Sequence, residues 1–486
     1  MGTLWYNGIF YTMAYEGDKA SALYEEDGKI IEIGSTKDLF NKWETKVIHK
    51  RNVNGAVVFP GFVDSHLHLI AHGQKLLRLD LSKTNSKDEA LVLLAAENTP
   101  EQGEWIEALG WNEHNDPNHE SLSLEDLNRI SEDHPVFVMR ICRHAAFVNQ
   151  IALDLAGINE HTQDPEGGRI ERDEDGKPTG VLHDKAVTLV QECMPKLSKK
   201  AIKRALKAAI TDCHQHGLTG GHSEDLHYYN GLAETVNVYE ETIHTGNPFR
   251  AHLLVHHEEI TAFDQSSFAH KLQVSPYIEL GALKIFADGA LGGRTAALSN
   301  PYSDDPEATG LVIHTQEKLN SLVRQARERH LGVAIHVIGD AALEMALDAI
   351  EANPTKAMRD RLIHVQVARP DLIERMKGLK LIVDIQPRFV VSDFPWVEER
   401  LGPERLPYSF AWKTLATNGI NCAGGSDAPI EPVEPLLGIY AAVARRDVNG
   451  AHEGYGLVRN CRHLKRLRYL RKAAHMQLVK RRVEVS

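Results

Sequence analysis

Positions 60–69 read PGFVDSHLHL, a run of apolar and β-favouring residues that closes on His66 and His68, one residue apart. In an extended strand, residues i and i+2 share a face. Both imidazoles therefore leave the strand end in one direction, as two nitrogen ligands of one divalent metal must. Alone the pair is weak evidence, because 26 histidines among 486 residues give on the order of one such spacing by chance, and motif matches carry that risk. His214 and His216 form a decoy of the same spacing. They lie in KRALKAAITDCHQHG, whose apolar positions repeat at helical spacing before Gly217, and on a helix neighbours two apart point to nearly opposite sides. They read as surface or cap residues.

Downstream of His68 the pattern is of short apolar strands, each followed by a helical stretch: GLTGGHSE near 217–224, FRAHLLVHH near 249–257, GALKIFADG near 281–289, GVAIHVIGD near 332–340, RLIHVQVA near 361–368, LIVDIQP near 381–387 and INCAGGSDAP near 420–429. Near-continuous apolar strands alternating with helices argue for a parallel sheet. With the strand ending at His66 there are eight, so the expected fold is α/β, a (β/α)8 TIM-type barrel over 60–430. The count treats about 70–215 as an insertion after the first barrel strand, although it holds the strand-like PVFVMRICRH. Its turn-rich DPEGGRIERDEDGKPTG reads as a hairpin. An insertion there lies over the active-site end of a barrel and is expected to supply a lid. Residues 1–59 alternate short β-rich pieces with turns, including the Asp-Gly hairpin signal of ASALYEEDGKIIEIG, and read as the N-terminal part of a small β-sandwich-like domain. Residues 431–486 read as a helix followed by a basic tail, Arg459 to Arg482 against the single acid Glu484, whose plain reading is a solvated helix.

The composition, 42% hydrophobic and 25% charged, is that of a soluble globular chain large enough for one large core and a smaller one. A net charge of −12 argues against nucleic acid or an anionic membrane as partner. No apolar run approaches the roughly 18 residues that span a bilayer, and nothing at the amino terminus marks export. Cys142, Cys193, Cys213, Cys422 and Cys461 form no CxxC pair, so neither a disulfide framework nor a thiolate zinc site is indicated. A reducing cytoplasm is expected, with each cysteine a buried small hydrophobe. A homo-oligomer stays open.

Residues at the carboxyl ends of barrel strands converge on one open face. His66 and His68 end the first strand; Lys284 and Asp288 lie in KIFADG, His336 ends VAIH, His364 lies in RLIHVQ, and Asp427 ends NCAGGSD. Each alone has an ordinary explanation: a satisfied core histidine, a Lys284–Asp288 salt bridge, an Asx turn at GGSDAP. An unpaired charge at a buried strand end is costly. Four histidines, a lysine and an aspartate arriving together are the donor set of a divalent ion.

Here the chain resembles the amidohydrolase superfamily, and within it the YtcJ-like branch that includes N-substituted formamide deformylases. The resemblance covers about residues 1–450 and rests on PGFVDSHLHL, PVFVMRICRHAAFVNQIALDLAGI, GGRIERDEDGKPTGVL, GALKIFADGALGGRTAAL, HVIGDAALEMALDAI, RLIHVQVA and GGSDAPIEPVEPLLGIYAAVAR. It implies that His66, His68, His336 and His364 are metal ligands and that Lys284, carboxylated on its amine, bridges two ions. With Lys284 unmodified, one ion is expected. Zn2+ is the first choice of metal, although histidine and carboxylate donors also admit iron, manganese or cobalt. Asp427 would accept a proton from metal-bound water and pass it to the leaving nitrogen.

Trp111 in LGWNEH, His144 in CRHAAFVN and Arg294 in GGRTAA are candidates for substrate contact, with ordinary loop packing the equal alternative for each. The branch usually has Asp-Gly before the histidine matching His144, where this chain has Cys142 and Arg143. The branch closes its small β domain with a segment rich in Gly, Ala and Asp that nothing after about Gly456 matches; a shifted reading frame or a divergent terminus is expected, leaving the small domain incomplete with an exposed edge. The expected activity is hydrolysis of a non-peptide C–N bond in a small N-acyl or N-formyl amide. Deamination of a heterocycle ranks below it, because related deaminases place a glutamate where this chain has Gly339. A catalytically inactive or regulatory member of the superfamily is the third reading.

Overall fold

Eight strands, Phe62–Leu67, Leu218–Ser223, Arg250–His256, Ile278–Phe286, Gly332–Val337, Asp360–His364, Leu381–Ile385 and Asn421–Gly424, pair in this order, every neighbour parallel. The coordinates are a computed structural model that describes residues 2–15, 17–96, 104–142, 144–450 and 454–455. At the end of the first strand and just past the eighth, Asp427 N donates to His66 O at 2.8 Å and His68 N to Ala428 O at 2.8 Å, so the sheet is nearly closed. This is the (β/α)8 barrel that the alternation of apolar runs and helical stretches announces.

The strands are buried on both sides, which is why they read as continuous apolar runs rather than alternating ones. Asp360–His364 and Leu381–Ile385 are buried at every position. Amphipathic helices cover the outside. Asp340–Ala352 turns Ala342, Leu343, Ala346, Leu347 and Ile350 inward, and Gln316–Glu328 starts where the Thr315 side chain accepts from Lys318 N, an N-cap supplying one of the free N–H groups of the first turn. Pro370 opens Pro370–Lys377, where its missing N–H costs nothing.

Two compact units emerge, Met1–His72 with Leu206–Ser486, and Gly73–Ala205. The first holds the barrel and a five-stranded sheet whose main path runs Lys29–Gly34, Lys19–Glu26, Gly2–Tyr11, Val47–Asn52, with Val57–Val58 on Gly2–Tyr11. Asp27 and Gly28 have φ of 53° and 75°, the left-handed pair a two-residue hairpin needs. A helix, Thr36–Trp43, capped by Ser35, packs Leu39 against Leu4, Ala22 and Tyr24; the β-only reading of this stretch omits it. Val47–Asn52 is an edge strand, largely exposed.

The second unit is built on a six-stranded mixed sheet in the order Gly168–Arg172, Pro178–Asp184, Ala145–Val148, Val136–Arg140, Ile106–Trp111, Leu79–Asp80. PVFVMRICRH contributes one of its strands, and the turn-rich segment is an antiparallel hairpin. Among the described cysteines, Cys213 and Cys422 are buried, but Cys142 and Cys193 are exposed, against the expectation for all five: Cys142 sits in the turn after Val136–Arg140 and Cys193 just beyond the helix Ala186–Gln191, where no core reaches them. Cys461, Arg143 and the basic tail fall outside the described residues.

Candidate active site

Asp64 ties the first and last strands together at the mouth of the barrel. Its Oδ1 accepts from His66 N at 2.9 Å, and its two oxygens accept from Ser426 N at 3.1 and 3.0 Å. Gly425 makes the approach possible, since a Cβ there would sit 2.7 Å from His66 N. The clamp delivers Asp427 against the histidine pair: Asp427 Oδ1 lies 3.4 Å from His66 Nε2 and 3.3 Å from His68 Nε2.

His364 joins from the sixth strand. Ligand atoms of His66, His364 and Asp427 all lie within 4.8 Å of one another, and all three residues are buried. The ring of His336 is 4.7 Å from that of His364, and that of His68 is 5.4 Å from that of His66. Partners behind the rings fix which nitrogen faces inward. His68 Nδ1 donates to Glu224 O at 2.8 Å and His364 Nδ1 to Gln386 Oε1 at 2.8 Å, which leaves Nε2 of each on the other side of the ring, that of His68 facing Asp427 Oδ1, the arrangement that orients imidazoles around a metal. His336 instead spends Nε2 on Gly289 O at 3.1 Å, so Nδ1 is its free donor. Asp427 has φ 59°, and His364 and Val365 have φ 78° and 46°. Left-handed backbone at a histidine and a β-branched valine is uncommon and collects at functional sites.

Lys284 is fully buried, and its Nζ has no hydrogen-bond partner; it stands 4.3 Å from the centroid of Phe286. Burial lowers its pKa, against the opposing pull of Glu224 and Asp427. The Lys284–Asp288 bridge does not form. Asp288 accepts from Ala297 N, Ile338 N and Gly339 N at 2.9, 3.0 and 2.8 Å, pinning the loop after the fourth strand to the one after the fifth. Burial holds His66 and His336 well below the usual imidazole range and His364 near 4, so these rings are neutral, the form that binds metals. At His68 burial also lowers, but the carboxylates of Asp427 and Glu224 outweigh it and raise the ring to about 9. Asp427 is lowered overall, His68, His364 and Lys284 overcoming its burial.

The donor set fits a divalent ion. Neutral imidazoles and an ionised carboxylate converge, and His66 Nδ1 and Lys284 Nζ are buried polar atoms without partners, which in a protein interior calls for an explanation such as an ion. Glu224, just past the second strand, is fully buried, its Oε2 3.6 Å from His68 Nδ1. The strand-end rule applied to GGHSE would have found it. Gln386 carries no sequence signal, because an amide in LIVDIQP announces nothing until its partner ring is placed.

Arg294 is engaged by Asp304, Nη2 to Oδ2 at 2.9 Å. In the second unit, Trp111 is fully buried within a cluster that includes Leu81, Leu94, Leu127 and Val138, and His144 is exposed with Nδ1 3.0 Å from Asp184 Oδ1. His214 Nε2 donates to Pro248 O at 2.9 Å and His216 Nδ1 bonds Asp212 O at 2.9 Å, both accounted for locally.

A family model described as the amidohydrolase family matches residues 51–477, further along than the motifs quoted above reach. The protein YtcJ of Bacillus subtilis (strain 168) is 50% identical over 461 residues, covering 94% of this chain and 85% of its own. An N-substituted formamide deformylase of Arthrobacter pascens is 26% identical over 425 residues, 82% of this chain and 76% of that one. Among solved structures, an uncharacterized metal-dependent hydrolase from Pyrococcus furiosus matches with a TM-score of 0.83 at 26% identity, covering 100% of this chain and 96% of that chain.

Proposed function

The chain belongs to the amidohydrolase family, and from that premise we propose that this metal-dependent hydrolase cleaves a non-peptide C–N bond, an N-acyl or N-formyl amide of a small molecule, in the cytoplasm. The observation that carries the reading is the meeting of His66, His364 and Asp427 donor atoms within 4.8 Å beside a buried lysine at the barrel mouth. His66, His68, His336 and His364 would hold the metal, with Zn2+ the best match to the donors. When bound, such an ion supplies a water of depressed pKa and polarises the scissile carbonyl.

The protein's own contribution is proton movement and orientation. Asp427 Oδ1, ionised and facing both His66 and His68, takes the proton of the attacking water and returns it to the leaving nitrogen, a general acid–base role worth about 10²- to 10⁴-fold. Gln386 and the Glu224 carbonyl lock the tautomers of His364 and His68. The amine of Lys284, its pKa lowered by burial, would in its free-base form add to carbon dioxide and lose a proton, giving a carbamate that would help hold a second ion.

Heterocycle deamination is disfavoured by position 339. A Cβ at Gly339 would meet Ala297 O at 1.9 Å, so the glutamate that deaminases place there has no room. The test is a panel of N-formyl and N-acyl amines offered to the zinc-loaded protein and to Asp427→Asn. Release of free amine by the wild type, lost by at least about 10²-fold in the variant at equal zinc content, supports amide hydrolysis. Zinc-replete protein inert on every amide but liberating ammonia from a heterocycle overturns it.

A further inference from the structure

The third barrel strand ends in HLLVHHEE, and its histidines were not needed for the centre at His66. His256 pairs in register with Lys284 on the fourth strand. In-register residues of neighbouring parallel strands point to one face, so His256 also turns towards the barrel mouth. Glu258 follows on the next turn, and His227 arrives on the loop after the second strand. One ligand atom from each of His227, His256 and Glu258 lies within 4.8 Å of the other two.

Glu258 Oε2 is 3.0 Å from His227 Nε2 and 3.9 Å from His256 Nδ1. Around a tetrahedral ion with bonds of about 2.0–2.1 Å, ligand atoms stand about 3.3 Å apart, a value these two separations bracket. The rings of His227 and His256 are stacked, centroids 4.3 Å apart at 11°, so one must turn about its Cβ–Cγ bond for both nitrogens to aim at one point. That torsion is soft in histidine.

A purely local explanation exists: His227 bridges Glu258 and, through Nδ1, Glu259 Oε1 at 2.9 Å, and His256 Nδ1 accepts from Glu258 N at 3.3 Å, a contact that a metal on Nδ1 would replace. It leaves the neighbouring imidazoles unexplained. The ring of His257 is 4.6 Å from that of His256, and His314 is 5.0 Å from His257. His257 Nδ1 and His314 Nε2 are buried atoms without a hydrogen-bond partner. Imidazoles grouped beside carboxylates, two of them with a buried nitrogen left over, are metal-binding chemistry. The ring of Tyr228, 6.3 Å from His68 and 5.5 Å from His227, separates this group from the first centre.

We propose that His227, His256 and Glu258 form a second site for a borderline divalent ion of the zinc, cobalt and nickel class, separate from the centre at His66. Its occupancy is read by elemental analysis of the full-length protein after dialysis against micromolar free zinc, a count that does not depend on activity. Glu258→Gln and His227→Ala should each carry one zinc per chain fewer than wild type. Glu258, with its side chain 58% exposed, can be changed without loss of fold, and that variant keeps the test valid should His227→Ala misfold. In His66→Ala the same Glu258→Gln change should again remove one zinc, which separates this site from any failure of the first centre. Equal zinc content in wild type and Glu258→Gln overturns the proposal.

Discussion

At His68 burial and charge oppose each other, and charge wins: burial lowers the ring, yet Asp427 and Glu224 raise it to about 9, well above the ordinary value of about 6.5. A divalent ion binds only the neutral imidazole, so below about pH 9 it must displace one proton. Zinc affinity should therefore be about tenfold tighter at pH 8 than at pH 7, measured by competition with a chelator. The other three rings are already neutral there, so a flat affinity over this interval contradicts the account of His68. His66, His68, His336, His364, Lys284 and Asp427 were legible because each stands at or near the end of an apolar strand, where a polar side chain is conspicuous. Gln386, and the carbonyl and carboxylate of Glu224, act through partners far away in sequence, and only the fold reveals those.

The loops after the fourth and fifth strands are held as one element by Asp288, whose carboxylate takes N–H groups from both. Gly339 sits at their contact, and its need for glycine is spatial: φ is −81°, but any Cβ would meet Ala297 O at 1.9 Å. Gly339→Ala should cost about 1–3 kcal/mol, the usual penalty of overpacking a fitted contact. Urea unfolding reads this directly, and a change below about 0.5 kcal/mol, the scale of an ordinary surface substitution, would show that the contact is loose. At this scale the sequence was most readable. All eight barrel strands overlap the apolar runs that mark them, Ile278–Phe286 and Asp360–His364 alone starting earlier, by three residues and one, and Asp27-Gly28 marks its hairpin because only such residues tolerate two left-handed conformations. Thr36–Trp43 was hidden because eight residues between strands are too few for helical periodicity to stand out. The exposed Cys142 and Cys193 were misread because burial statistics describe a residue type and not its place at an element's end.

Over the whole molecule the barrel gathers residues separated by more than three hundred positions, and the neutral rings of His66, His336 and His364 around the ionised carboxylate of Asp427 are the donor chemistry of a shared cation. Composition and periodicity carried the barrel class because a closed parallel sheet buries both faces of every strand and so writes itself into the chain as repeated apolar runs. They could not carry the inserted sheet of Gly73–Ala205, whose strand order mixes parallel and antiparallel pairs that no local pattern encodes. Zinc-edge anomalous diffraction from crystals of the zinc-loaded protein tests the shared cation most directly. A peak bonded to His66, His68 and His364 and facing Asp427 is the predicted result; a map without density among those side chains, from protein shown to contain zinc, would contradict it.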